Sequence, residues 1–327
     1  MAAYLLRRLG QAVLVLLVMS VLVFAGVYAI GNPIAILVPP DATQADAARL
    51  AAQLGLDKPL WQQYFVFVRQ AASGNLGTSF AFNVPAISLI LERFPATLEL
   101  ALCATLIALT FGIPLGLWAG LKPRSLAGKL ITGGSILGFS LPTFWVGLVL
   151  VLTFSVVLGW LPSGGRGETR ALLGVPISFL TADGLRHLAL PATNLALFSL
   201  ALVIRLTRAG TREAMQLEYV RFARSKGLTE GRVIGVHVLK NILIPVLTVA
   251  GLEFGSLIAF AVITETIFAW PGMGKLLIDS INVLDRPVVV AYLCVTVLVF
   301  VLINLLVDLA YAALDPRVRP GARGGAA

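Results

Sequence analysis

Long uncharged stretches, the first from Leu9 to Pro40, constrain this chain more than any other feature. An α-helix needs about 20 predominantly apolar residues to cross the hydrocarbon core of a bilayer. Only 13% of the 327 residues are charged and 58% are hydrophobic, whereas soluble domains carry about 25% charged residues. A soluble core of this length cannot hide so much apolar surface, so lipid must cover part of it. An ordinary soluble enzyme and a disordered chain are therefore excluded.

The uncharged stretches predict an all-α polytopic membrane protein with six transmembrane helices. The stretch from Leu130 to Gly165 has room for one span with an apolar tail or for two short spans. Because basic residues favour cytoplasmic loops, we choose one span, which leaves 16 Lys and Arg inside and 9 outside, with both termini in the cytoplasm. The predicted spans are Leu9–Ile30, Pro95–Leu121, one within Leu130–Gly165, His187–Ile204, Asn241–Phe268 and Pro287–Tyr311.

This topology divides the chain into an N-terminal end with the first span, an outer segment, a membrane core with a basic cytoplasmic loop, and a cytoplasmic tail. Within the outer segment, Thr43–Leu54 and Pro59–Ala72 are predicted to form short amphipathic helices. The four parts are residues 1–31, residues 32–94, residues 95–312 with the loop 205–240, and residues 313–327.

Small residues recur at four-residue spacing on several predicted spans. Such rows allow helix backbones to approach closely in lipid, so they predict helix packing, with a flexing gate helix as the alternative. Pro114 and Pro142 interrupt their spans and predict kinks. The rows are Gly112, Gly116 and Gly120, then Gly134 and Gly138, then Gly251 and Gly255.

The sequence shows no motif typical of a catalytic or metal-binding site. The sequences that begin at Gly128 and Gly274 lack both the upstream Gly and the Ser or Thr of a phosphate loop. The predicted topology places His187 and His237 on opposite sides of the membrane, so they cannot share a site. We therefore predict no catalytic, cofactor or metal site. The basic residues that give the net charge of +9 lie between apolar segments, which is the arrangement that sets membrane topology. We therefore predict no nucleic-acid partner.

The loop 205–240 contains a segment rich in helix-forming residues, which predicts a helix up to Lys226 with Gly227 as its C-cap. Tyr219, Phe222 and Ala223 fall at helical spacing and share one face. Such a helix can press into a groove on another protein, or it can lie on anionic lipid. The residues alone leave both interpretations open.

Four acidic residues lie within the predicted spans, where an ionisable group is a functional candidate by default. Glu99 lies near the outer end of its span, and the other three are taken as the candidates. Glu265 lies near an outer end and Asp308 near an inner end, so we expect structural pairing for both. Glu253 lies near the middle of its span. It either lines an aqueous path, where it can meet a peptide amine, or pairs with a partner subunit.

The loop segment resembles the coupling motif of binding-protein-dependent ABC importer permeases. Glu213-Ala214, the pair Ala223 and Gly227, and Ile234 follow that motif. The sequence from Tyr219 to Leu228, followed by His237 and Asn241, resembles that of the oligopeptide, dipeptide, glutathione and nickel branch. Met215 departs from the usual Ala, and Asn32 and Asn75 stand where this branch is expected to have Asp.

Further segments, in order along the chain, resemble the first permease subunit of that branch from about residue 4 to residue 319. These segments are Leu54–Leu60, Gln63-Tyr64, Gly74–Ser79, Arg93–Leu100, Leu161–Gly165, His187–Pro191, Glu265–Phe268, Trp270–Gly274, Asp285–Pro287, Asn304–Asp308, Tyr311 and Leu314–Arg317.

The resemblance implies a type I ABC importer permease fold in the bacterial inner membrane. It implies a second homologous permease subunit, two ATP-binding subunits that hold ATP and Mg²⁺, and a periplasmic binding protein received by the outer segment. A lid that packs on the pore mouth is the alternative role of this segment. This chain would then be no enzyme and would carry no cofactor. Di- or oligopeptides are the implied substrate, with glutathione, nickel or another small solute as alternatives. A re-entrant loop is expected over Trp270–Ile281.

The resemblance also assigns ATPase coupling to a helix near Leu217–Leu228, with lipid phosphate as an alternative contact for its basic residues. A self-contained secondary transporter or channel is the alternative class, but it predicts an internal inverted repeat, which we do not find. The residues implied for coupling are Glu213, Ala214, Tyr219, Val220, Arg221, Phe222, Ala223, Arg224, Lys226 and Gly227.

Overall fold

The computed structural model of the protein describes residues 2–29, 43–45, 49, 52 and 57–314, and these residues are mostly helical. The predicted helix Thr43–Leu54 and the predicted tail 313–327 lie largely outside the described residues. In chain order the elements are α1 (Ala2–Ala29), α2 (Leu60–Ala72), α3 (Ala86–Leu121), α4 (Leu126–Ser140), α5 (Thr143–Leu150), a π-helix (Val151–Val157), β1 (Arg170–Leu172), β2 (Val175–Ile177), α6 (Ala182–Ala214), α7 (Glu218–Ser225), α8 (Glu230–Arg232), a second π-helix (Val233–Val238), α9 (Leu239–Ile267), α10 (Met273–Asn282) and α11 (Arg286–Leu314).

Five helical segments are long and apolar enough to cross a membrane. Helices α4 and α5 with the first π-helix pass the same test together but bend by 109°, so the described residues hold five candidate spans, or six if this pair counts as one. The bend falls at Leu141 and Pro142, where a kink was predicted, because Pro142 has no N–H to continue the helical hydrogen bonds. The five segments are Arg7–Gly26, Ala86–Leu121, Ala182–Ala214, Glu230–Ile267 and Arg286–Leu309.

The described chain divides into two compact units. The smaller unit comprises Ala2–Glu92 and Asp279–Val301. Within it, α1 packs against α2 through the rings of Phe24 and Tyr64, whose centroids lie 5.5 Å apart. The hydroxyls of Ser20 and Tyr64 are 2.8 Å apart. The helix predicted over Pro59–Ala72 is therefore present, with Pro59 as its N-cap.

Elsewhere in the smaller unit, the Asp285 carboxylate organises the segment after α2. It accepts hydrogen bonds from the Ser79 hydroxyl and from the backbone N–H groups of Phe80 and Ala81. Ser79 and Asp285 are both buried. Two segments that resemble the importer branch, far apart in sequence, are thereby joined.

The larger unit comprises Arg93–Ile278 and the described residues from Leu302 onward. Its packing explains the first row of small residues. A Cβ on Gly112 would lie 2.7 Å from Val203, and one on Gly116 would lie 2.6 Å from Thr207. The prediction that these glycines serve helix packing is therefore confirmed, since any side chain there would separate α3 from α6. By contrast, a Cβ on Gly134 would meet nothing within 4 Å.

β1 and β2 form an antiparallel hairpin, with Arg170 opposite Ile177. The hairpin lies in the connection between the first π-helix and α6.

Candidate functional site

The segment predicted as a coupling helix is a separate short helix, α7. The short helix predicted near Leu217–Leu228 is present, because α6 ends at Ala214 and a new helix, α7, begins at Glu218. Backbone hydrogen bonds from Gln216 to Glu213 and from Leu217 to Ala214 close the turn between them. Tertiary packing overrides helix propensity here, since the turn brings the apolar face of α7 back onto its own chain.

One face of α7 belongs to a buried apolar cluster. Val220 is completely buried and Ala223 is 4% exposed. They pack with residues from the end of α6, the second π-helix and the start of α9. Of the residues predicted for coupling, Ala214, Val220 and Ala223 therefore contact this chain. The cluster comprises Ala214, Val220, Ala223, Val233, Val238 and Ile242.

Tyr219 lies at the edge of the cluster and fixes α7 to the following helix. The Nδ2 group of Asn241 donates hydrogen bonds to the Tyr219 hydroxyl and to the carbonyl of His237, each at 2.9 Å. Both Asn241 and His237 were part of the sequence resemblance. The structure gives them a physical role, because together they connect α7, the π-helix and α9.

The other face of α7 is exposed and carries one large apolar side chain among charged groups. Phe222 is 61% exposed, and the Lys226 ammonium lies 4.5 Å from its ring centroid. Arg221 pairs with Glu218 at 3.3 Å, and Arg224 pairs with Glu230 at 2.8 Å. Exposed ion pairs of this kind stabilise little. This face is therefore available for contact with another molecule.

Gly227 ends α7, and the predicted glycine terminus is confirmed. Its N–H donates to the Arg224 carbonyl, and the N–H of Leu228 donates to the Ala223 carbonyl, which is the Schellman pattern. Gly227 has a φ of +77°, a conformation that costs residues with a Cβ free energy. A Cβ there would meet nothing within 4 Å, so the position is open toward the surroundings.

The Glu265 carboxylate, one of the three candidate acids within the spans, is buried and paired within the larger unit. It accepts hydrogen bonds from the Thr97 hydroxyl at 2.6 Å and from the backbone N–H of Lys275 at 3.0 Å. The Met273 N–H donates to the Thr97 hydroxyl at 2.8 Å. The indole N–H of Trp270 donates to the Ala96 carbonyl at 2.9 Å. Glu265 thus holds the loop that follows α9 against α3, which agrees with the structural pairing that the sequence predicted for this residue.

Glu99 forms a second buried network that the sequence analysis did not assign. Its carboxylate pairs with Arg166 at 2.6 Å. It also accepts hydrogen bonds from the N–H and the hydroxyl of Ser178, each at 2.7 Å, and from the N–H of Phe179 at 3.0 Å. Arg166 also donates to the Pro176 carbonyl at 2.6 Å. These bonds hold the hairpin to α3. The signals in the sequence were an acid at the end of a span and the resemblance over Arg93–Leu100.

Glu253 has different surroundings from Glu265. It is half-buried on α9 and lines a small cavity together with Thr105 and Ser199. Within the part of the chain that the structure describes, its carboxylate has no hydrogen bond. Asp308 is half-buried on α11. In the same described residues, no group of three or more His, Cys, Asp or Glu side chains is placed to hold a metal ion.

Family models and individual relatives match this chain over nearly its whole length. Residues 112–320 match the family described as "Binding-protein-dependent transport system inner membrane component", and residues 1–101 match the corresponding N-terminal family. The chain is 41% identical to the di/tripeptide transport system permease protein DppB of Pseudomonas aeruginosa. It is 38% identical to the dipeptide transport system permease protein DppB of Escherichia coli K12. Each alignment covers 98% of this chain and 99% of the relative.

Two further similarities place these matches in context. The chain is 36% identical to the glutathione transport system permease protein GsiC of Escherichia coli O6:H1, over 98% of this chain and 99% of the relative. A solved structure of the MetNI methionine ABC transporter in inward-facing conformations matches with a TM-score of 0.52 at 13% identity. That match covers 69% of this chain and 96% of the solved chain, and it shows a shared fold.

Proposed function

The chain belongs to the family of binding-protein-dependent transport system inner membrane components, and we propose that it forms the membrane passage of an importer for di- and oligopeptides. As a permease subunit of an ABC importer it is a transport component and not an enzyme. The peptide substrate is supported by relatives named as di/tripeptide and dipeptide permeases at 41% and 38% identity. Glutathione, itself a small peptide, is the second candidate because a glutathione permease is 36% identical.

The proposed topology has six spans and cytoplasmic termini. The bent pair α4 and α5 counts as one broken span in this arrangement, which the distribution of basic residues supports. It places α7 in the cytoplasm and residues 32–94 on the periplasmic side, where they receive the binding protein. A cysteine introduced at Ser225 should react with a membrane-impermeant reagent from the cytoplasmic side. Reaction from the periplasmic side alone would refute the topology.

The proposed partners are a second homologous permease subunit, two ATPase subunits that bind ATP and Mg²⁺, and a periplasmic binding protein. The two faces of α7 support a contact with an ATPase. Val220 and Ala223 fix the helix to its own chain, whereas Phe222, Arg221 and Lys226 remain exposed. An apolar ring among charges is suited to a groove on a partner protein. Closure of the ATPases would then shift the spans between inward-open and outward-open states.

The observation that carries the substrate proposal is full-length similarity to peptide permeases. The test is uptake by the complete transporter, with its binding protein, in proteoliposomes that contain ATP. We expect ATP-dependent accumulation of radiolabelled alanyl-alanine, with omission of the binding protein as the control. Accumulation of glutathione without any uptake of dipeptides or tripeptides would favour the second candidate.

A further inference from the structure

An arginine and two aromatic rings form a cluster between α4 and α6 of the larger unit. The rings of Phe139 on α4 and Phe198 on α6 stack with their centroids 4.7 Å apart. The Arg205 guanidinium, on α6, lies 4.2 Å from the ring centroid of Phe139. Both rings are partly exposed, Phe139 by 42% and Phe198 by 37%. The sequence analysis assigned none of the three residues, because it counted Arg205 as the first residue of a cytoplasmic loop.

The Arg205 guanidinium has hydrogen-bonding capacity that the fold does not use. Its Nε is buried and has no hydrogen-bond partner among the described residues. The two terminal nitrogens are not buried in this way, and in the same part of the chain they form neither a hydrogen bond nor an ion pair. A guanidinium has five N–H donors and no acceptor. A ring contact attracts its charge but accepts none of the in-plane N–H groups, so the terminal nitrogens remain available to a ligand.

The depth of this guanidinium follows from the packing of α6 against α3. A Cβ on Gly120 would lie 2.7 Å from Thr211, so Thr211 is level with the end of α3 at Leu121. Arg205 precedes Thr211 by six residues, which is about 9 Å along a helix. Its side chain then extends toward the ring that stacks on Phe198, away from Thr211. The guanidinium therefore lies inside the apolar part of the span and not at its charged end.

This direction is the opposite of the one expected on a surface that faces lipid. Basic side chains that face lipid extend toward the headgroups and so keep their charge in water. In the proposed topology the cytoplasmic headgroups lie beyond the Thr211 end of α6, whereas Arg205 extends toward Phe198. Lipid phosphates lie outside the hydrocarbon core and do not reach this depth. A charged group held here therefore indicates an aqueous face, as in the lining of a transport passage.

The geometry of a guanidinium restricts the ligand. Its terminal nitrogens present parallel N–H groups that match the two oxygens of a carboxylate, and such a pair is stronger than a neutral hydrogen bond. A peptide with an unmodified carboxyl terminus always carries one carboxylate there. The exposed rings of Phe139 and Phe198 lie beside Arg205, and they offer an apolar surface to the side chain of the last residue of the peptide.

We propose that Arg205 binds the carboxyl-terminal carboxylate of the transported peptide within the membrane passage, beside the rings of Phe139 and Phe198. The proposal rests on the peptide-import function above and identifies which end of the peptide the permease recognises. Arg205 supplies the charge-assisted hydrogen bonds. The two rings hold the guanidinium in place and contact the last side chain of the peptide.

The experiment measures binding to the membrane complex without the binding protein, because the binding protein can itself select for a free carboxyl terminus. The assembled complex of permease and ATPase subunits is placed in nanodiscs and titrated with alanyl-phenylalanine. Saturation-transfer NMR, which detects weak binding, reports the affinity. The same titration is made with the carboxyl-terminal amide of this dipeptide. We expect amidation to weaken binding about ten-fold, since hydrogen bonds between two charged groups are lost.

The variants test the assignment to Arg205. Arg205→Gln should weaken binding of alanyl-phenylalanine about ten-fold and remove the preference over the amide. Arg205→Lys keeps the charge but not the paired N–H groups, so it should weaken binding about three-fold and keep part of the preference. Arg212→Gln is the matched control, because Arg212 lies on the same face of α6 two turns closer to the cytoplasm and is exposed. It should leave both affinities unchanged.

Three results would overturn the inference while leaving peptide import intact. The first is a wild-type complex that transports the dipeptide but binds it no better than the amide. The second is an equal loss for both ligands in Arg205→Gln together with poorer co-purification of the second permease subunit, which would assign Arg205 to subunit assembly. The third is unchanged peptide binding by Arg205→Gln with loss of a co-purified anionic phospholipid, which would assign Arg205 to lipid. Absence of any peptide uptake by the wild-type transporter would instead refute the proposed function.

Discussion

Two glutamates on helix α9 differ in almost every physical respect. Glu265 is completely buried, and its carboxylate accepts hydrogen bonds from Thr97 and from the backbone of Lys275. Glu253 is half-buried on the same helix, and within the described chain its carboxylate accepts none. The first carboxylate has its partners supplied by the fold. The second has acceptor capacity to spare, and this difference separates a structural acid from one available to a ligand.

The same distinction applies to α7. Val220 is completely buried in its own chain, whereas Phe222, on the same short helix, is 61% exposed. On each helix, one residue (Glu265 or Val220) is buried and fixes the helix to the rest of the chain. The other residue (Glu253 or Phe222) remains available for contact with another molecule. The following predictions test this distinction, from the largest expected effect to the smallest.

The largest effect is expected for Glu265→Ala. The variant leaves the Thr97 hydroxyl and the Lys275 N–H without their acceptor in a buried site, which should destabilise the protein by about 3 kcal/mol or more. Thermal unfolding of the detergent-purified complex measures this. Glu253→Ala is the control and should be much milder. Equal destabilisation by the two variants would contradict the comparison.

A smaller effect is expected for Gly272→Ala. A Cβ at this position would collide with the Glu265 carboxyl, and forcing extra volume into a packed site costs about 1–3 kcal/mol. Gly134→Ala is the matched control, because a Cβ there would meet nothing within 4 Å. The same unfolding assay compares them. If both substitutions were neutral, the Glu265 carboxylate could not occupy the space beside Gly272 in which the structure places it.

The sequence predicted the elements whose cause is local and missed those whose cause is tertiary. Apolar runs predicted the first and the last span to within about four residues at each end, whereas α6 continues past the predicted end at Ile204 to Ala214. The glycine at 227 predicted the end of α7. The turn at Met215–Leu217 was missed because helix-forming residues continue through it, and only the packing of Val220 and Ala223 requires it. Neither π-helix had a sequence signal. The partners of Glu99 come from the distant residues Arg166 and Ser178, and no single-sequence pattern connects them.

Gly227→Leu is expected to act mainly on coupling. The backbone at φ +77° costs a residue with a Cβ about 1 kcal/mol, but the side chain meets nothing in this chain. Folding should therefore survive, while a bulky group at the end of α7 should hold the helix away from an ATPase. We expect ATP hydrolysis without proportionate peptide uptake in proteoliposomes. Gly227→Asn, which tolerates this conformation, is the conservative control. Normal uptake by Gly227→Leu would refute a close contact at this end of α7.

The smallest change in stability is expected for Phe222→Ala, and it tests the distinction within α7 most directly. Because Phe222 is 61% exposed, its removal should change the free energy of unfolding by no more than about 0.5 kcal/mol. Val220→Ala, on the buried face, should cost about 1–2 kcal/mol through the cavity it leaves. If the exposed ring binds in a groove of an ATPase, Phe222→Ala should nevertheless lower the ratio of peptide transported to ATP hydrolysed. Val220→Ala should instead lower the yield of folded complex and leave that ratio unchanged in the folded fraction. A Phe222→Ala transporter with an unchanged ratio would show that this ring contacts lipid or solvent, and ATPase coupling would then have to be carried by other exposed residues of the loop, such as Arg221 or Glu213.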